Sequence, residues 1–248
     1  MRNTAGHRQW SCVDLQPDQQ LRFLQVALLE HPPIEFSETR TSPWRYYKKN
    51  DWFPVADAYT LSVMIRQHQP QRIVEIGSGF STAVILDSGQ PATGLICVEP
   101  DPDRRLARLC GTTGIPRIIE HPVQAAPVSI FEELQSGDVL FIDSSHQLAP
   151  DGDVTDLLTE IIPRLPRGVL VHFHDILFGE SYPACWSERK YSESQAIAAV
   201  LACQSSSHPT LQILAFNSDI GSTQSQLFVD RFPEFLNNPG GSLWLVKA

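Results

Sequence analysis

From Arg72 onward the chain alternates short apolar runs with stretches of helical periodicity. RIVEI (72–76), GLICVE (94–99), RIIEHPV (117–123), DVLFID (138–143) and GVLVHFHD (168–175) read as five strands. Ser81 to Leu86, DPDRRLARLC (101–110), VTDLLTEIIPRL (154–165) and SESQAIAAVLAC (192–203) read as helices. TLQILAF (210–216) and SLWLVKA (242–248) add two further strands. Strands this rich in Val, Ile and Leu need cover on both faces, which crossover helices over a parallel sheet supply. The segment between the last two strands shows no clear helix. Those strands are therefore expected to pair antiparallel, because a parallel pair needs a crossover. The pattern predicts an α/β protein with a Rossmann-like, mostly parallel seven-stranded sheet, an antiparallel last strand and helices on both faces.

Ahead of this region, residues 17–30 carry Leu21, Leu24 and Leu28 at helical spacing, and Pro32-Pro33 stops the helix. Residues 31–56 hold Trp44, Tyr46, Tyr47, Trp52 and Phe53 without periodicity, as an aromatic lid or edge would. DAYTLSVMIRQH (57–68) reads as a helix with Asp57 as its cap. The expected organisation is an N-terminal helix and aromatic segment over 1–56, then one domain over 57–248.

Composition narrows the class. The 248 residues are 42% hydrophobic and 19% charged, as in a globular chain with a full core. The net charge is −9 and no Lys/Arg run occurs, which argues against a nucleic-acid partner. No apolar run is long enough to span a bilayer, and MRNTAGHRQWSCVDL lacks the apolar core of a secretion signal. A cytoplasmic location is expected, with no membrane partner. Five scattered cysteines without a C-x-x-C pair read as reduced thiols.

The chemistry collects at the carboxyl ends of the strands, where open α/β sheets bind ligands. After the first strand come Glu75, Gly77, Ser78, Gly79, Ser81 and Thr82. Glycines allow a tight turn and close ligand approach, and the next helix offers free N–H groups. Glu99 ends the second strand, where a carboxylate can accept from a ribose diol. A dinucleotide or S-adenosylmethionine would fit. The third glycine of the dinucleotide fingerprint is replaced by Thr82. Glu75 beside the turn would repel a pyrophosphate and suit an ammonium and a sulfonium.

EIGSGFST, VEPD, FIDSSH and HFHDI occur in order at strand ends. Together they resemble the class I S-adenosylmethionine-dependent methyltransferases, in the branch with I-D-x-x-H and H-D-I motifs. The resemblance covers about residues 45–248, including YPACW (182–186), YSES (191–194) and GGSLWLVK (240–247). It implies the Rossmann-like class I methyltransferase fold. It also implies that Gly77 and Gly79 cradle the cofactor's methionine portion and Glu75 lies near its amino group. Glu99 would hold the ribose, with Pro100, Val123 and Gln124 near adenine and Asp143 and Ser144 on the cofactor side.

Three readings of the reacting end stay open. His146 or His174 acts as general base for a substrate hydroxyl. Alternatively, Asp143 and Asp175 hold a divalent cation, which resembles the catechol-type O-methyltransferases, although Ile176 stands where that family carries an amide ligand. A histidine ligand would then favour a transition metal. In the third reading the strand histidines, His172 above all, are core groups bracing the two aspartates.

Tyr46, Tyr47, Tyr182 and Trp186 are candidate acceptor-binding residues, since aromatic walls suit a small planar or sugar-containing molecule. The function expected is methyl transfer to an oxygen, rather than a nitrogen, of a small-molecule acceptor. A homodimer is a candidate assembly. An NAD-dependent oxidoreductase and a non-catalytic cofactor-binding protein are the alternatives.

Overall fold

The computed structural model describes residues 10–32, 34–102, 106–110, 114–179, 182–204, 210–223 and 232–248. Two N-terminal helices, α1 (Pro17–Glu30) and α2 (Val55–His68), precede the sheet. The sheet region follows as β1 (Ile73–Ile76), α3 (Phe80–Asp87), β2 (Leu95–Val98), α4 (Leu106–Cys110), β3 (Arg117–Ile119), α5 (Ser129–Glu132) and β4 (Val139–Ile142). Next come α6 (Asp153–Asp156), a π-helical turn Leu157–Ile161, α7 (Ile162–Arg164) and β5 (Leu170–Phe173). The last elements are α8 (Glu193–Cys203), β6 (Leu211–Phe216), α9 (Asn217–Thr223), α10 (Pro233–Asn237) and β7 (Leu243–Lys247). The seven strands lie in the order β3-β2-β1-β4-β5-β7-β6. Pairings through β5 are parallel, and β7 runs antiparallel to both neighbours.

Alternation along the strands feeds two cores. Ile73, Val139, Phe141 and Leu170 face α1, α2 and α3, together with Trp244 of β7. Val74, Ile76, Leu140, Ile142, Val171 and Phe173 face α5, α8 and the helical stretch through Leu157 and Ile161. The strands are buried on both faces, as their continuous apolar character requires.

Several sequence expectations are corrected. The third strand stops at Ile119, because Pro122 cannot donate to a ladder, and Val123–Ala125 forms a 3₁₀ turn. The connection between the last two strands contains the short helices α9 and α10. The stretch 154–165 is helical, but Pro163 removes a donor and the helix widens into a π turn just before it. Asp57 is not a cap: α2 starts at Val55, and the Asp57 carboxylate is fully buried. Residues 1–9 and 103–105, parts of the N-terminal reading and of the helix expected over 101–110, lie outside the described residues.

Candidate active site

The turn after β1 is set by Gly77, whose φ is +81°. A Cβ there would overlap the backbone carbonyl of Asp143, so only glycine lets the β1 and β4 ends approach this closely. Gly79 opens α3, and its N–H donates to Thr82 Oγ1 at 2.9 Å. Beyond the turn lies a cavity of about 490 Å³. Its walls include Gly77, Glu99, Pro100, Val123, Gln124, Asp143 and Ser144, seven of the residues expected at the cofactor. Glu99 Oε2 accepts from the N–H and hydroxyl of Ser78 at 3.0 and 3.1 Å, and its Oε1 accepts from Asp101 N–H at 2.9 Å. Ser144 Oγ is buried without a hydrogen-bond partner among the described residues. It is therefore a polar atom that a ligand can satisfy.

Glu75, Ser81 and Thr82 behave otherwise than expected. Glu75 shares a strand face with Ile73, pairs with Cys97 and Phe141, and is 0% exposed. Its carboxylate accepts from Ser81 Oγ at 2.6 Å, Thr82 Oγ1 at 2.7 Å and Cys97 Sγ at 3.2 Å. The three side chains pin the turn from behind and do not line the cavity. Burial pushes the Glu75 carboxyl up to about 7, against the opposing hydrogen bonds from Ser81, Thr82 and Cys97.

At the ends of β4 and β5 four side chains converge. His146 Nε2 lies 3.3 Å from Asp143 Oδ1 and 3.6 Å from Asp175 Oδ2. His174 Nδ1 lies 3.5 Å from Asp143 and 3.6 Å from Asp175. The remote nitrogens rest on two further carboxylates: His146 Nδ1 on Glu193 at 2.7 Å, and His174 Nε2 on Asp57 at 3.2 Å. His146 and Asp175 both adopt left-handed backbone, with φ of +60° and +55°. Non-glycine residues hold such conformations only where their surroundings over-determine them.

Burial opposes the charge on His146, but hydrogen bonds to Asp143 and Glu193 outweigh it and raise its pKa to about 10. His174 is raised likewise, against burial, by the charges of Asp175 and Asp143. The Asp143 carboxyl, despite burial, is held well below its usual range by His174 and His146. Burial pushes Asp175 up, more than His174 and His146 pull it down. Both imidazoles are thus biased toward the protonated form, which suits charge compensation of the two aspartates more than a free base.

The cation reading meets a different geometry from the one it expects. The near partners of Asp143 and Asp175 are imidazole nitrogens, and Ile176, at the position of the amide ligand, is fully buried. No group of three or more His, Cys, Asp or Glu among the described residues is arranged to hold a metal ion. His172 is a core group: fully buried, it stacks on Phe141 at 3.9 Å and shares a 2.9 Å hydrogen bond with Ser242 Oγ, and these contacts do not involve the two aspartates.

Of the aromatic candidates, Tyr182 and Trp186 come together with Tyr191, with ring centroids 5.3 to 6.1 Å apart. Tyr191 packs on His146 at 4.8 Å. The Arg189 guanidinium lies 5.5 Å from the Trp186 ring and 5.7 Å from that of Tyr191. Tyr46 is a correction. It is 0% exposed, packs on Phe36 and Phe80, and donates its hydroxyl to the Phe53 carbonyl at 2.9 Å. Tyr47 is half-buried on Phe80 and does not line the cavity. Asp57 and Glu193 escaped the sequence reading. Neither carries a local signal: Asp57 stands near a helix start, where an acid reads as a cap, and Glu193 is the third residue of the YSES string.

Residues 74–176 match the family model of a methyltransferase domain. A stretch of 129 residues is 31% identical to an uncharacterized protein of Archaeoglobus fulgidus, covering 50% of this chain and 58% of that one. Among solved structures, a putative O-methyltransferase of Klebsiella pneumoniae aligns with a TM-score of 0.45 and 16% identity, over 98% of this chain and 99% of that one. An O-methyltransferase of Bacillus cereus, solved with SAH, aligns at 0.47 and 13%, over 93% and 91%. The sheet is a Rossmann-like α/β fold, and within it residues 74–176 are similar to a methyltransferase domain. No helix of the described residues is long and apolar enough to cross a membrane.

Proposed function

We propose that the protein is an S-adenosylmethionine-dependent methyltransferase acting on a hydroxyl of a small molecule. The observation that carries this is the shared wall at Asp143. Its side lines the 490 Å³ cavity, and its carboxylate enters the histidine–aspartate cluster. A cofactor in the cavity and an acceptor at the cluster would therefore meet at one residue. The Gly77 turn and the unpartnered Ser144 hydroxyl suit a bound cofactor, and Glu99 suits a ribose.

The bound cofactor supplies an electrophilic methyl on sulfur. A hydroxyl acceptor that took this methyl would have to give up its proton. Asp175 is placed to take it: its side chain is 21% exposed, and burial has raised its basicity above that of an ordinary aspartate. The two imidazoliums hold Asp143 and Asp175 in place and compensate their charge. Tyr182, Trp186 and Tyr191 offer the acceptor an apolar wall next to His146. Alignment of acceptor, methyl and sulfur is the main contribution of such a site.

Calorimetry with S-adenosylhomocysteine and NAD tests the reading. Binding of S-adenosylhomocysteine, weakened by Glu99→Ala about tenfold or more, with no binding of NAD, is the expected result. Tight NAD binding without a response to S-adenosylhomocysteine would sink it. Labelled cofactor added to a metabolite extract then identifies the acceptor by the mass of the methylated product.

A further inference from the structure

We propose that Glu193 is a positioning residue: from the first turn of α8 it fixes the ring of His146 so that Nε2 faces the Asp143–Asp175 pair. Its part in catalysis rests on the methyltransferase reading above, whereas its part in ring orientation does not.

Three bonds from the start of α8 grip His146. The N–H groups of Ser192 and Glu193 donate to the His146 carbonyl at 2.8 and 3.2 Å, and Glu193 Oε2 meets Nδ1 at 2.7 Å. Together they account for a histidine held at φ +60°, which L-residues otherwise avoid. Glu193 is 0% exposed, and its Oε1 has no hydrogen-bond partner among the described residues. Its carboxylate is thus spent on one imidazole. Asp57, the corresponding backing of His174, also accepts from Gly241, Ser242 and Asn217 and braces the fold besides.

The same helix start is tied to the aromatic wall. Ser194 N–H donates to the Tyr182 hydroxyl at 3.2 Å, and Gln147 Nε2 donates to the Arg189 carbonyl at 2.9 Å. Leu148 N–H donates to Ser192 Oγ at 2.9 Å. A shift of residues 182–191 on acceptor binding would therefore pass through Glu193 to the His146 ring. The groups facing that ring are Asp143, Asp175 and Glu193, with the Tyr191 ring packed edge-to-face against it.

The test uses the full chain labelled with ¹⁵N, with the His146 ring signals identified by their loss in His146→Gln. In the wild type the Nδ1 proton is expected far downfield and protected from water. Glu193→Gln should move it upfield, and Glu193→Ala should lose it to exchange. Both variants should bind S-adenosylhomocysteine within about twofold of wild type, while turnover falls about tenfold or more in Glu193→Ala and recovers in part in Glu193→Gln. Should Glu193→Ala fail to fold, the shift in Glu193→Gln carries the measurement. Unchanged ring signals in the folded variants would overturn the proposal. Absent S-adenosylhomocysteine binding in the wild type, with ring signals that still respond, would instead overturn the methyltransferase reading and leave the orientation intact.

Discussion

His174 reaches back 117 residues to Asp57, with 3.2 Å between Nε2 and Oδ2, and both side chains are withdrawn from solvent. Asp57 also accepts from Gly241 and Ser242 N–H, each at 3.0 Å, and from Asn217 Nδ2 at 2.8 Å. Four donors on one carboxylate keep it ionised, and its pKa is lowered by the His174 contact in spite of complete burial. Asp57→Asn removes the carboxylate on the Nε2 side of the His174 imidazolium, leaving it only Asp143 and Asp175, and turns an amide donor toward donors. A loss of about 3 kcal/mol or more is expected in urea denaturation, because breaking one half of a buried pair strands the other.

Gly77→Ala should be costly twice over. The methyl group would meet the Asp143 carbonyl, and alanine resists a φ of +81°. A loss of about 2 kcal/mol or more is expected in stability, from overpacking and backbone strain together. Calorimetry should show S-adenosylhomocysteine binding abolished, since the Asp143 wall must move.

Stability should peak in mildly acid solution. His146 is raised from 6.5 to about 10 on folding, so its contribution is complete below about pH 6.5 and disappears as pH rises through 10. Glu75 is raised from 4.5 to about 7, so the folded form gives up stability as pH climbs through that range. Asp143 and Asp57 are depressed, and their contributions fade as pH falls below the ordinary aspartate range. Melting temperatures from pH 3 to 11 check this. Glu75→Gln should flatten the descent between about pH 4.5 and 7 and leave the alkaline limb in place. An identical profile in that variant would refute the assignment.

Tyr46→Phe removes one buried hydroxyl contact and no acceptor surface, so about 1 kcal/mol of stability should go with turnover unchanged. Trp186→Ala should do the reverse, raising the KM of an aromatic or sugar acceptor while the melting temperature barely moves. Steady-state kinetics beside thermal melts separate the two.

The strand ends were legible because alternation and apolar continuity depend on local sequence alone. Gly77, Glu99, Asp143, His146, His174 and Asp175 follow from that register. Glu75 was open to a better reading, since alternation puts it on the buried face of Ile73, opposite Val74 and Ile76. Asp57 was not open to one. An acid near a helix start reads as a cap, and only the docking of Gly241 and Ser242 against α2 shows that it points inward. Glu193 is hidden for the same reason: its partner lies 47 residues away. The aromatics divide likewise, because composition cannot tell Tyr46, sealed beneath Phe36, from Tyr182, which stands in the cluster beside His146.

The placement of β7 bears on the order of assembly. It is the last strand in sequence, yet it sits between β5 and β6, and β6 pairs with no other strand. A chain folding as it is synthesised can therefore build the five parallel strands early, while β6 waits for a neighbour not yet made. The Gly241 and Ser242 amides that hold Asp57, and the Ser242 hydroxyl that meets His172, arrive with that same strand. The cavity beyond Gly77 can form on the nascent sheet before His174 has its backing, so the histidine–aspartate cluster matures last.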